Sequence, residues 1–197
     1  MGKVRVPRIV REQQMLDAAV AVFSRRGYHA AAVDEIAEAA GISKPMVYAY
    51  LGTKEELFVA CLRREATRLL EAVLDAARPG SSPREQLHRG LRAFFGFVGA
   101  HRDGWAVLYR QARGQEPFAA EVAAMRERMV EVVAVLLSGS TGARADDITP
   151  IAHALVGAGE ALADWVVDHA AEHPEVTATR LMNLMWPGIA RSLAPSP

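Results

Sequence analysis

Residues 41–57 read GISKPMVYAYLGTKEEL, with two tyrosines, a Lys-Pro pair and a second lysine. The stretch is too polar for a core segment and too aromatic for an ordinary loop. Gly41 and Gly52 flank a short helical pattern. Ser43 is a fitting N-cap. Pro45 is tolerated in a first turn, where its missing N–H has no intrahelical partner to lose. A helix ending near Tyr50 can bury only a few anchors, namely Ile42, Val47 and Leu51. Lys44, Met46, Tyr48, Ala49 and Tyr50 are left for the outer face and its edges. A DNA recognition helix needs this division, because its first residues face the major groove while a few side chains hold it from behind. Lysine neutralises phosphate or donates to a guanine edge; tyrosine hydroxyls reach phosphate oxygens, and the rings pack on sugars or thymine methyls. The alternative is a plain helical corner with half-buried tyrosines and a solvated lysine.

Outward from this stretch the pattern is helical nearly throughout, and no segment reads as a good strand. Residues 8–26 place Ile9, Leu16, Ala19, Val20 and Phe23 at helical spacing, and Gly27 is expected to end that helix as a left-handed cap. Residues 33–40 form a short helix that Gly41 stops. Thr53-Lys54-Glu55-Glu56 reads as a capping box opening a long helix to about Arg78. Lys54 sits in its first turn, where the dipole disfavours a cation and a phosphate partner would account for it. Pro79-Gly80-Ser81 is a break, and Ser82-Pro83-Arg84-Glu85 opens a helix to about His101. Further helices are expected over 105–113, 118–138, 147–172 and 175–194, with SGSTGARAD (138–146) as a loop and Pro187 kinking the last helix near Asn183. The internal boundary lies near residue 53, giving units 1–52 and 53–197.

Composition sets the outer bounds. About half of the 197 residues (51%) are apolar, enough for a sizeable core. The 23 basic and 23 acidic residues cancel, so net charge does not choose a partner. Its distribution does: residues 1–30 hold Lys3, Arg5, Arg8, Arg11, Arg25 and Arg26 against Glu12 and Asp17. That is a local footprint for a polyanion, or else a solvated tail. Cys61 is the only cysteine, so no intramolecular disulfide can form, which fits a reducing cytosol. No run approaches the ~18 apolar residues of a membrane helix, and the opening residues lack the apolar run of a signal peptide. A cytoplasmic protein without membrane contact is expected.

The segments AAVAVFSRRGY (18–28), VDEIAEAAGIS (33–43) and KPMVYAYLGTKEEL (44–57) together resemble the N-terminal domain of the TetR family of transcriptional repressors. The resemblance covers about a quarter of the chain, and many positions agree in order and spacing. It implies an all-α protein: a three-helix helix-turn-helix domain followed by a helical bundle that binds a ligand and dimerises. It also implies that Ser43, Lys44, Pro45 and Met46 face bases, that Tyr48 and Tyr50 contact phosphate and sugar, and that Lys54 holds a phosphate. The basic arm of Lys3, Arg5 and Arg8 is expected to reach the minor groove. The family's threonine pair before the second helix is Ala31-Ala32 here, which removes an N-cap worth ~1 kcal/mol. Its recognition-helix phenylalanine is Leu51.

Residues 53–197 carry no sharp motif. Ile148, Ile151, Leu155, Leu162 and Val166 form one stripe, with Ala152, Val156, Ala163 and Val167 beside it. Gly157, Ala158 and Gly159 would admit a close helix. With Leu181, Leu184, Met185, Ile189 and Leu193 these suit an isologous four-helix dimer contact, or else the chain's own core. Phe94, Phe97, Trp105, Leu108, Tyr109, Met125, Met129 and Trp165 are candidate effector-cavity residues, or plain core. Glu160 and Asp164 would meet a polar group on that effector, or pair with Arg110 or Arg113. HAAEH (169–173) fits the His-x-x-Glu-His pattern of some zinc peptidases, but it ends a helix before Pro174, where histidines suit the dipole, and no third ligand is apparent.

The expected function is a homodimeric regulator, a repressor released from a palindromic operator by a small-molecule inducer, with no cofactor and no catalytic residues. The alternatives are a metal-dependent hydrolase using residues 169–173 and a helical interaction module that does not bind DNA.

Overall fold

The structure, a computed structural model, describes residues 7–78, 80–112, 115–141, 145–169 and 173–192. Helices are α1 (Arg8–Ala30), α2 (Val33–Ala39), α3 (Lys44–Leu51), α4 (Lys54–Ala76), α5 (Pro83–Ala100), α6 (Arg102–Trp105), α7 (Ala119–Thr141), α8 (Ala145–Asp168) and α9 (Pro174–Ser192). The backbone after α6 continues as a π-helical segment, Ala106–Gln111. There is no strand among the described residues.

The chain divides into two compact units. The first comprises the chain up to Ala66 together with Asp103–Val122; the second comprises Thr67–Arg102 and the chain from Ala123 onward. In the first unit α1 buries Met15, Leu16, Ala19, Val20, Val22 and Phe23. Val33, Ile36 and Ala37 of α2, Val47 and Leu51 of α3, and Leu57, Phe58, Cys61 and Leu62 of α4 complete that core. The π-helical segment packs on α1. Trp105 and Leu108, named above as candidate cavity residues, are buried with it (0% and 3% exposed). Phe118 joins Phe58 (centroids 4.5 Å apart) and Tyr28 (4.8 Å), and Phe58 meets Phe23 edge-on at 4.9 Å. Such ring pairs contribute ~0.5–1.5 kcal/mol each beyond their burial. Cys61 is wholly buried, its Sγ 4.0 Å from the Leu16 carbonyl oxygen, and burial pushes its thiol pKa up to about 12.

Several element ends differ from the sequence reading. Gly27 has the expected positive φ (75°), but its ψ of 164° lies outside the left-handed helical basin, and α1 resumes for one more turn to Ala30. Gly27 also gives the Gln111 side chain room: a Cβ there would meet Gln111 Oε1 at 2.9 Å. Gly104 does the same for the buried Glu65, whose Oε2 would lie 2.5 Å from an added Cβ. Residues 138–141, expected in a loop, are still helical, whereas α9 runs through Pro187 as expected.

In the second unit α9 packs most extensively on α5, and α8 packs on both. Leu155, Val156, Gly159, Ala163, Val166, Leu181 and Ile189 were candidates for a dimer face. All are buried within the chain itself. The apolar stripe is wide enough to fill the chain's own core, which spacing alone does not reveal. Leu162 and Met185 are half-buried, and Leu184 is 76% exposed. Leu193 lies outside the described residues.

Gly27→Ala is expected to cost ~1–3 kcal/mol of unfolding free energy, because its φ/ψ region is open essentially to glycine alone. Gly96→Ala, in α5 with open space around an added Cβ, is expected to be neutral or to stabilise by ~0.5–1 kcal/mol. Urea titration of both variants checks the contrast.

Candidate nucleic-acid interface

The turn between α2 and α3 is set by backbone bonding. Ile42 N–H donates to the Ala37 carbonyl and Gly41 N–H to the Glu38 carbonyl, both at 3.0 Å. These are the paired bonds of a Schellman motif, and Gly41 supplies the positive φ (65°) that it requires. Ser43 then takes the extended N-cap conformation, although its hydroxyl makes no capping bond. α3 buries Val47 completely and Leu51 nearly so, while Ile42 is half-buried. Val47 and Leu51 are one turn apart and share a face. Lys44, Pro45, Tyr48 and Ala49 are therefore exposed on the far side, and Met46 and Tyr50 lie at the edges.

Three cations border this helix. Lys44 Nζ lies 2.8 Å from Asp34 Oδ2 in the first turn of α2. That hydrogen bond and the carboxylate charge hold the ammonium pKa above the usual lysine range. Arg8 places its guanidinium 5.1 Å from the centroid of the Tyr50 ring. Its described partner is thus the end of the recognition helix; Lys3 and Arg5 lie outside the described residues. Lys54 Nζ donates to the His29 carbonyl (3.1 Å) and sits 4.8 Å from the Tyr28 ring centroid. Burial lowers its pKa. A cation at the last carbonyls of α1 complements that helix's dipole, which sequence reading had assessed only for α4.

Gly52 ends α3 with φ 72° and ψ −145°. The capping box forms as its spacing predicts: Thr53 N–H donates to Glu56 Oε2 at 2.7 Å, and Glu56 N–H donates to Thr53 Oγ1 at 3.1 Å. The N-cap position of α2, Ala32, supplies no side-chain cap, as Ala31-Ala32 requires.

The first unit thus offers a short helix, base-sized groups on its outer face and cations at both ends, and this is a helix-turn-helix arrangement. Residues 15–61 match the family model described as bacterial regulatory proteins, tetR family, and residues 83–188, over half of the chain, match the tetracyclin repressor-like C-terminal domain. The chain belongs to the TetR family. It is a DNA-binding transcriptional regulator of all-α fold. It is 38% identical over 153 residues to the transcriptional activator FasR of Mycolicibacterium smegmatis, covering 77% of this chain and 70% of that one. A TetR-like regulator from Rhodococcus sp. RHA1 is 53% identical, with a TM-score of 0.81 over 94% of this chain and 99% of that one. FadR of Bacillus subtilis, solved with stearoyl-CoA, shares the fold at 17% identity, with a TM-score of 0.79 over 88% of this chain and 96% of that one.

The effector candidates of this TetR-family chain fall in both units. Trp105, Leu108 and the half-buried Tyr109 belong to the first unit, where Trp105 and Tyr109 stack at 3.8 Å. In the second unit Phe94 and Phe97 are buried, Met125, Met129 and Asp164 half-buried, and Trp165 39% exposed. Glu160 is buried and pairs with Arg126 of α7 at 3.3 Å; Arg113 lies outside the described residues. Arg126 Nη1 also reaches His153 Nδ1 at 3.4 Å. A groove of about 340 Å³ between the start of α5, with its N-cap Ser82, and Thr179, Met182 and Asn183 of α9 contains none of the expected effector residues. His169 stacks on Trp165 at 4.4 Å, and residues 170–172 lie outside the described residues.

The Thr53 bonds hold the Glu56 carboxyl below its usual range. A carboxylate with a depressed folded pKa stabilises above its unfolded pKa, and that contribution is lost as pH falls through the folded value. Glu56→Gln is expected to be less stable than the parent at pH 7, with the gap closing below about pH 4. Denaturant titration across pH checks it.

Proposed function

We propose that this regulator acts in the cytoplasm as a homodimer, reads two half-sites of a palindromic operator, and represses until a small molecule bound in the second unit releases it. The observation that carries the reading is the outward face of α3, with two buried anchors behind Lys44, Pro45 and Tyr48. Ser43, Lys44, Pro45 and Met46 are assigned to base edges. Tyr48, Tyr50, Arg8 and Lys54 are assigned to the backbone.

Dimerisation is assigned to what α8 and α9 leave uncovered: exposed Trp165 and Leu184, with half-buried Leu162 and Met185. The two recognition helices must then sit about 34 Å apart, or at a compatible repeat. Effector binding can release DNA only through its difference in affinity between two conformers. Phe94, Phe97, Met125, Met129 and the Arg126–Glu160 pair are the effector candidates that remain in the second unit. FadR's stearoyl-CoA makes a long-chain acyl-CoA a reasonable first probe. The chain is read as having no catalytic role, and residues 169–173 as a helix end.

Activation is the second reading, favoured by the likeness to FasR, which is named an activator. A reporter driven by the chain's own operator decides the sign: loss of the protein raises output under repression and lowers it under activation.

Lys54→Ala is expected to weaken specific and scrambled duplexes alike and to reduce the salt slope by about 0.9. Binding isotherms at several salt concentrations test this, and an unchanged slope removes Lys54 from the phosphate contacts. Leu184→Asp is expected to sediment as a folded monomer and to lose operator binding, since so exposed a residue is not needed for the chain's own core. A variant that stays dimeric refutes the assignment.

A further inference from the structure

We propose that Asp34 is a specificity-determining positioning residue: its carboxylate holds the Lys44 ammonium at the head of α3 so that this lysine reads a base edge instead of clamping a phosphate. The inference rests on the regulator reading above and deepens it.

The first turn of α2 carries two carboxylates and starts without a side-chain cap, so acidic residues there suit the helix dipole. Each is also used across helices. Glu35 pairs with Arg26 of α1 at 3.3 Å, and Asp34 pairs with Lys44 of α3 at 2.8 Å. The Asp34 and Lys44 side chains are 69% and 43% exposed. Ion pairs this open contribute little to stability. Ile36, Ala37 and Val47 hold α2 and α3 in place, so the fold does not require Asp34.

Beside a duplex a carboxylate has the wrong sign. DNA presents one negative charge about every 1.7 Å of axis, and each neutralised phosphate releases counterions. A lysine already paired with an aspartate adds little to that count. An acidic side chain bonded to the leading lysine of the recognition helix therefore costs non-specific affinity. That is the form taken by a device that discriminates against wrong partners.

Geometry supplies the gain. An ammonium has three donors, and one spent on Asp34 Oδ2 leaves two for acceptors such as guanine O6 and N7. Lysine's four-carbon stem has many rotamers to lose. A phosphate accepts a point charge from many of those rotamers, whereas a base edge accepts it from few. Tying Nζ to α2 selects among them before DNA arrives. The carboxylate also offsets the unfavourable dipole felt by a lysine at the first position of α3.

The other two cations at this surface are held differently. Arg8 lies over the Tyr50 ring, and Lys54 lies over the Tyr28 ring and on the His29 carbonyl. Those partners are neutral, so both residues keep their full charge for the DNA backbone. The surface thus divides its labour: two cations on neutral supports clamp phosphates, and one on an acidic support reads.

The test uses the full chain and two duplexes. One is enriched by the wild-type protein from a randomised pool; the other is a scramble of it with the same composition. Asp34→Asn is expected to bind the scramble more tightly, to steepen its salt slope by about 0.9, and to lower the ratio of specific to scrambled affinity about tenfold. Repeating the enrichment with that variant should relax base preference only at the positions facing the head of α3. Asp34→Glu, which keeps the charge, should recover part of the ratio. Asp34→Ser stands in if the asparagine variant melts more than a few degrees below the parent. Equal weakening on both duplexes with an unchanged slope would show a merely structural role and overturn the inference. So would an unchanged ratio and slope. A wild-type chain that enriches no duplex overturns the regulator reading and this one with it.

Discussion

The anchoring of α3 is the constraint on which the rest of the first unit depends. A helix of eight residues is too short to persist in water, where ~12–15 residues are already marginal. It persists because Val47 and Leu51 are buried behind it and because a Schellman turn and a capping box fix its two ends. Buried area on such a helix competes with surface for reading DNA. Two anchors spend the minimum on stability, and the remaining side chains face outward or lie at the edges. The load then passes to α1, α2 and the start of α4, whose apolar faces are correspondingly full.

Much of the first unit was legible in the sequence because its signals are local. Glycine at a turn, Thr-x-x-Glu at a helix start and apolar residues four apart each report on neighbours a few positions away. The order of α1 to α4, the capping box and the outward residues of α3 follow from these. The ion pair between Asp34 and Lys44 does not, since ten residues and a change of helix direction separate the partners. Nor does the docking of Lys54 on the end of α1. Both need coordinates to be seen.

The assignment of apolar stripes to partners was the least legible part. Spacing shows that Trp105 and Leu108 share a buried face, but not that the face belongs with α1. Two small residues make that packing possible, Gly27 beside Gln111 and Gly104 beside Glu65, and neither stands out in a string containing fifteen glycines. The same limit applies to α8 and α9. Leu155, Ala163 and Leu181 would serve equally well inside the chain or against a second copy, and the structure spends them inside. Among the described residues of α8 and α9, Trp165, Val176 and Leu184 are the large apolar side chains left exposed. Glu160 illustrates the point for charge: its buried carboxylate pairs with Arg126 on α7, a partner the sequence does not single out.

The sulfhydryl of Cys61 lies at the centre of the first unit, beneath the helices that carry the reading head. Burial pushes its thiol pKa up to about 12, so little of the reactive thiolate forms near neutral pH while the unit stays closed. Because the chain has no other cysteine, any covalent tagging by a thiol reagent must wait for that unit to open. The molecule therefore carries a built-in stopwatch for breathing of its DNA-reading end, one that needs no engineered label.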